Sequence, residues 1–273
     1  MLPTVTRDVA LALEHIELLA WRDLLEAASP ADRSALGLRS ARIASGFAMA
    51  ADEHESLLQN RVLGLGLHEP LTDSVLEEAI AHYPEGKGFA INLCPFAELT
   101  GASQPLVSHG FATFFHHLKW IRDDAPATAV NTALEVVEIG RSRAHEWAAL
   151  YAEIHDLSPA YAVWTASAVG REGWTHQLAL DQDRPVAIAA MYVHDGLAWL
   201  GKMGTLEKDR KRGAQGALLA ARVNAGLASG VRAFALETAP DWPDLPGGSL
   251  RNAARAGFRP AYARPSWVRG LAS

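Results

Sequence analysis

The sequence holds a single cysteine, Cys94, in 273 residues. One thiol excludes an intramolecular disulfide and any cysteine-based metal cluster. Basic charge is not in excess either: 25 Lys and Arg stand against 31 Asp and Glu, a formal net charge of -6 at pH 7. That excludes a general attraction to nucleic acid or to anionic membranes, so any anion site must be local. No apolar run approaches the roughly 20 residues needed to cross a bilayer. The N-terminus, MLPTVTRDVALALEHIELLAWRDLLEAA, carries charges throughout and lacks the apolar core of a signal peptide. A cytoplasmic protein is expected.

Metal-ligand spacing is missing as well. His116 and His117 are adjacent, so on a strand they would face opposite sides, and His54, His68 and His82 fall at no ligating interval. No metal is expected. Neither GxxxxGK[ST] nor GxGxxG occurs.

What is present is the profile of a globular chain with a substantial core: 49% hydrophobic and 21% charged residues. Two stretches look alike, HGFATFFHHLKWIR ending at Arg122 and AGFRPAYARPSWVR ending at Arg269. In both, Gly-Phe leads through an aromatic-rich stretch to Trp, a β-branched residue and Arg. Gly110 and Gly257 each precede their Trp by ten positions. FAINLCP and FALETAP repeat at nearly the same offset. A duplication is the better reading. RDDAPATAVNT is a plausible linker between the copies, giving domains at 1–126 and 127–273.

The second half alternates clearly. LEVVEI reads as a strand, RSRAHEWAALYAEIHDL and YAVWTASAVG as helices, and THQLALD, RPVAIAAMYVHD and LAWLGKMGTL as strands joined by DQDR and HDG turns. A helix from Ala214, the strand VRAFALET, a short helix SLRNAARA and a final strand through Tyr262 and Trp267 complete it. The order predicts a mixed α/β domain. The first half reads as a looser version.

Between LAWLGKMGTL and the helix lies EKDRKRGAQG, with Lys208, Arg210, Lys211, Arg212 and Gly213. Two readings fit it. The N–H groups of a helix start, its dipole and a permissive glycine can cradle a phosphate. The same residues can equally form a solvated basic turn. The first-half counterpart, HEPLTDS, has neither glycine nor Lys or Arg and cannot supply the same site.

With Arg210-Lys211-Arg212-Gly213-Ala214-Gln215 after its fourth strand, the second half resembles the GCN5-related N-acetyltransferase (GNAT) family, whose motif is Arg/Gln-x-x-Gly-x-Gly/Ala. Gln215 departs from that motif. The resemblance continues through GALLAARVNAG to the closing Gly-Phe segment, and the first half is similar to a degenerate copy without the cofactor loop. A tandem GNAT-like protein is implied, using acetyl-CoA as donor. By motif position, backbone N–H groups from Lys211 to Gly216 would hold the pyrophosphate, with the basic side chains at the rim. Gly204, Thr205 and Leu206 would pair with pantetheine amides.

Acetyl transfer needs a neutral amine, an oxyanion donor and a proton for the leaving thiolate. The resemblance puts Glu237 where two strands splay around the acetyl group, as a candidate base, and the backbone near Leu206 at the oxyanion. Many family members carry a tyrosine acid where this chain has Ala253, and Tyr262 is the substitute considered. Asp241 and Asp244 could attract a cationic amine. The implied enzyme is an N-acetyltransferase acting on a primary amine of a small molecule, as a monomer or homodimer. The alternative is a non-catalytic acyl-CoA-binding or regulatory protein.

Overall fold

The computed structural model describes residues 4–239 and 248–269. Along the chain run α1 (Arg7–Glu26), α2 (Pro30–Leu36), β1 (Leu38–Ile43), β2 (Gly46–Ala51), β3 (Arg61–Leu63), α3 (Asp73–Ala81), β4 (Ala90–Asn92), α4 (Pro95–Glu98), α5 (Ser103–Ser108) and β5 (Phe111–Arg122). Then come β6 (Glu135–Ile139), α6 (Ala144–His155), α7 (Pro159–Ala166), β7 (Trp174–Asp181), β8 (Arg184–His194), β9 (Leu197–Thr205), α8 (Ala214–Ala228), β10 (Ala233–Thr238), α9 (Gly248–Arg255) and β11 (Arg259–Arg269). The fold is mixed α/β, as expected.

Two compact units form, and they interleave along the sequence. The first comprises Met1–Leu25, Ser29–Lys119 and Ala261–Ser273; the second comprises Glu26–Ala28 and Trp120–Pro260. This differs from the consecutive halves expected to meet after residue 126. The cause is β11, which pairs antiparallel with β4 of the first half through Ser266↔Asn92, Trp267↔Ile91 and Val268↔Ala90.

In the first unit the strand order is β1-β2-β3-β4-β11-β5. β3 and β4 are parallel, with α3 as their crossover. α1 buries Leu13, Ile16, Ala20 and Leu24 at helical spacing. It also buries Glu14 and Glu17, only 3% and 1% exposed. Glu17 receives Arg61 at 3.0 Å, Arg264 at 2.8 Å and Lys119. Glu14 receives Arg264 and the Tyr262 hydroxyl, both at 2.7 Å. Burial opposes the Glu17 charge, yet Arg264, Lys119 and Arg61 hold its carboxyl well below the usual range. Asn92 donates to Ser266 at 2.6 Å in the same region. Polar partners from α1, β3, β4, β5 and β11 thus fix where β11 goes.

In the second unit the order is β10-β9-β8-β7-β6. All pairs are antiparallel except β9 with β10, which α8 connects. The β8–β9 turn places Asp195 and Gly196 at φ 47° and 74°, the left-handed pair of a type I′ hairpin. Trp147, Tyr161 and Trp164 are buried on α6 and α7. On the β5 strand His116 is exposed and His117 buried, the alternation a strand requires. The described residues hold no helix long and apolar enough to cross a membrane and no cluster able to bind a metal.

Candidate functional site

α8 begins without a side-chain cap. Its N-cap is Gly213, at φ 87°, and Lys211 two residues earlier is also left-handed at φ 65°. This backbone leaves the N–H groups of Lys211, Arg212, Gly213, Ala214, Gln215 and Gly216 with no hydrogen-bond partner among the described residues. Six successive unpaired donors stand at a helix start, where the dipole adds positive potential. The corresponding helix of the first unit is built differently. The Thr72 hydroxyl accepts from Val75 N–H at the start of α3, and Asp73 sits in the first turn. There a side chain already fills the place an anion would take.

The basic side chains do not all point to a ligand. Arg212 pairs with Asp181 and Asp209, both at 2.8 Å, and Arg184 closes on Asp209 through two bonds of 2.9 and 2.8 Å. Hydrogen bonding to Arg184, with Arg212 adding to it, lowers the Asp209 carboxyl to about 2. Arg212 is therefore a brace for the turn rather than a rim charge. Arg210 is exposed and 3.9 Å from Glu207. Lys208 and Lys211 are exposed and have no ion-pair partner among the described residues. Gln215, the departure from the motif, donates to the Thr205 hydroxyl at 2.9 Å and so ties the helix to the end of β9. Leu206 N–H is already given to the Val186 carbonyl at 3.0 Å, so it is not open for pantetheine or an oxyanion.

Upstream, β9 carries a bulge. Ala190 faces Gly201 and Ile188 faces Gly204, so Lys202 and Met203 together oppose Ala189. Lys202 adopts φ 49°. The fully buried Arg222 of α8 donates to the Ala190 carbonyl at 3.0 Å, beside this break in the ladder. Burial pushes its guanidinium down to about 9. The pairing of β10 with β9 ends at Leu236↔Leu200. Half-buried Glu237 is the next residue on β10. Bulge and divergence thus fall at neighbouring positions of β9.

His155 of α6 lies against this part of β9, and sequence spacing gave no sign of it or of His176 on β7. A side chain at Gly204 would meet His155 Nε2 at 3.0 Å and Ile154 at 2.4 Å. Burial and the nearby Lys202 lower the pKa of His155. His176 packs against Trp147 and Trp174, at ring-centroid distances of 5.0 and 5.6 Å. Burial, then Lys202, pushes it to about 3, so it is neutral near pH 7. The Lys202 ammonium lies 5.8 and 5.9 Å from the Tyr151 and Tyr161 ring centroids.

Tyr262 belongs to the first unit, where it is 0% exposed and hydrogen-bonded to Glu14. It is not in the unit that carries α8. Ala253 is buried on α9. Cys94 is buried, and its thiol is pushed up to about 12 by burial and Glu14, which suits a core residue and not a nucleophile. Asp241 and Asp244 lie outside the described residues.

No protein-family model matches the chain, and no curated protein does. Solved structures do. A GCN5-related N-acetyltransferase from Kribbella flavida aligns with TM-score 0.65 and 15% identity, over 97% of this chain and 96% of its own. One from Sphaerobacter thermophilus aligns with TM-score 0.57 and 14% identity, over 82% and 80%. A tandem GNAT protein from the clavulanic acid biosynthesis pathway aligns with TM-score 0.55 and 15% identity, over 84% and 79%. The chain has the GNAT fold, and similarity over most of its length extends to a tandem member.

Proposed function

We propose that this protein is an acyltransferase that moves an acetyl group from acetyl-CoA to a primary amine of a small molecule. The observation that carries the reading is the run of six unpaired N–H groups from Lys211 to Gly216, set after a bulged strand that parts from its neighbour. It fits a pyrophosphate, and exposed Lys208 and Lys211 add charge at its edge. Acetyl-CoA supplies the activated acyl group. Gly204 and Thr205 line the strand end on which the pantetheine arm would lie. Leu206 is left out as the oxyanion donor, because its N–H is committed to the Val186 carbonyl.

The amine must lose a proton. Glu237, just past the last β9–β10 pair, takes it directly or through a water. His155 is a second acceptor in reach of the bulge, being held neutral beside Gly204. Tyr262 is left out as the acid, because its proton already serves Glu14. The cytoplasm is the compartment this reading implies.

One observation favours a non-catalytic acyl-CoA-binding or regulatory protein: among the described residues, neither Ala253 nor Tyr262 provides an acid in the second unit. Calorimetric titration with acetyl-CoA, followed by thiol-release assays over a panel of amines, separates the two. Micromolar binding with turnover supports the transferase. Binding without turnover on any amine supports the binding protein. No binding sinks both.

A further inference from the structure

We infer that Thr132, in the segment joining the two sequence halves, is the residue that orients the anion cradle of α8; this rests on the acetyl-CoA reading above. The Thr132 hydroxyl donates to the Arg212 carbonyl at 2.7 Å and accepts from Leu134 N–H at 3.2 Å. Both hydroxyl roles are thus filled, which fixes the rotor. In a trans peptide the carbonyl and the following N–H point in opposite directions. Fastening the Arg212 carbonyl to Thr132 therefore turns the Gly213 N–H to the opposite side, away from the linker.

The linker is itself anchored at both ends of this contact. Leu134, 7% exposed, packs in one cluster with Ala214 and Leu218 of α8. Ala127 N–H donates to Asn224 Oδ1 at 3.0 Å further along the helix. Between these anchors the linker lies against Gly213, the N-cap, and Gly216 in the first turn of α8. A Cβ on Gly213 would come within 3.2 Å of Thr132, and one on Gly216 within 3.2 Å of Val130. The missing side chains of Gly213 and Gly216 thus admit the protein's own linker on one flank. The unpaired N–H of Gly213 is left for the other flank. Without the Thr132 bond, the Arg212–Gly213 peptide is free to rotate, since the glycine tolerates both orientations. The cradle then loses pre-organisation.

Thr132 is a positioning residue, and its test must read more than stability. Affinity is measured for acetyl-CoA and for S-acetylpantetheine, which carries the thioester but no pyrophosphate, with wild type, Thr132→Val and Thr132→Ser. Loss of one such hydrogen bond corresponds to roughly five- to tenfold in affinity. Thr132→Val should weaken acetyl-CoA by that factor and leave S-acetylpantetheine unchanged, and Thr132→Ser should restore the wild-type value. Equal weakening of both ligands, or no change in Thr132→Val, overturns the inference. Absence of acetyl-CoA binding in the wild type instead removes the functional reading on which it rests.

Discussion

Tyr262 donates its phenolic hydrogen to Glu14 at 2.7 Å, across 248 positions of sequence. The bond joins β11 to α1 inside the first unit, and it decides what Tyr262 is for. A tyrosine that protonates a leaving thiolate must reach the thiolate. This one is 0% exposed and spends its proton on a buried carboxylate. Burial, and then Glu14, raise its pKa well above the ordinary value, which suits a permanent donor.

Tyr262→Phe should therefore cost stability and not catalysis. Losing a buried hydrogen bond to a charged acceptor costs about 2 kcal/mol. Chemical denaturation should show a loss of that size. Under conditions where the variant is folded, kcat for acetyl transfer should match the wild type. A hundredfold fall in kcat in the folded variant would return Tyr262 to the mechanism.

Glu17 faces three cations, Arg264, Lys119 and Arg61. Glu17→Gln leaves them without their shared anion, and breaking such a buried set costs about 3–5 kcal/mol. The sign with pH follows. The folded pKa lies below the unfolded value near 4.5, so the stabilisation is present above about 4.5 and is lost as pH falls toward the folded value. The wild type should lose stability steeply in acid by urea titration, and Glu17→Gln should lose less per pH unit.

His176 gives an acid dependence at higher pH. Its folded pKa of about 3 lies below the unfolded 6.5, so the unfolded chain takes up a proton that the folded chain refuses. Stability from this residue is full above about 6.5 and declines as pH drops toward 3, with a slope of about 1.4 kcal/mol per pH unit. His176→Phe should flatten the stability–pH curve between pH 6 and 4. An unchanged slope would mean that the ring is not held neutral as its aromatic surroundings imply.

Glu237→Gln should lower kcat for acetyl transfer by at least about a hundredfold, the usual scale of general-base assistance, while acetyl-CoA affinity stays within twofold. His155→Asn, measured alongside, should lower kcat less. If the ranking reverses, His155 is the base, and its proximity to the Gly204 position matters more than the strand end at Glu237.

Much of the second unit was legible in the sequence. The helix at Ala214, the three strands before it, the Asp195-Gly196 hairpin and the unhelpful first-half turn all follow from signals within a few residues: period, turn chemistry, glycine. The repeat of closing segments at Gly110 and Gly257 was visible too, and both become long strands. The looser first half hid β1, α2, α4 and α5, whose short or irregular patterns do not announce themselves.

Local chemistry therefore determined which segments are helices and strands and which N–H groups stay unpaired at the start of α8, because caps and turns depend on neighbours in sequence. Only the tertiary structure decided the partners. It sent β11 to β4 by matching Arg264, Tyr262 and Ser266 to buried carboxylates and an amide far away in sequence. It turned Arg212 from a rim charge into a brace, brought His155 to the bulge of β9, and set His176 among aromatic rings. Burial makes an unmatched polar group costly, so such groups settle strand order and site composition only when the whole chain is packed.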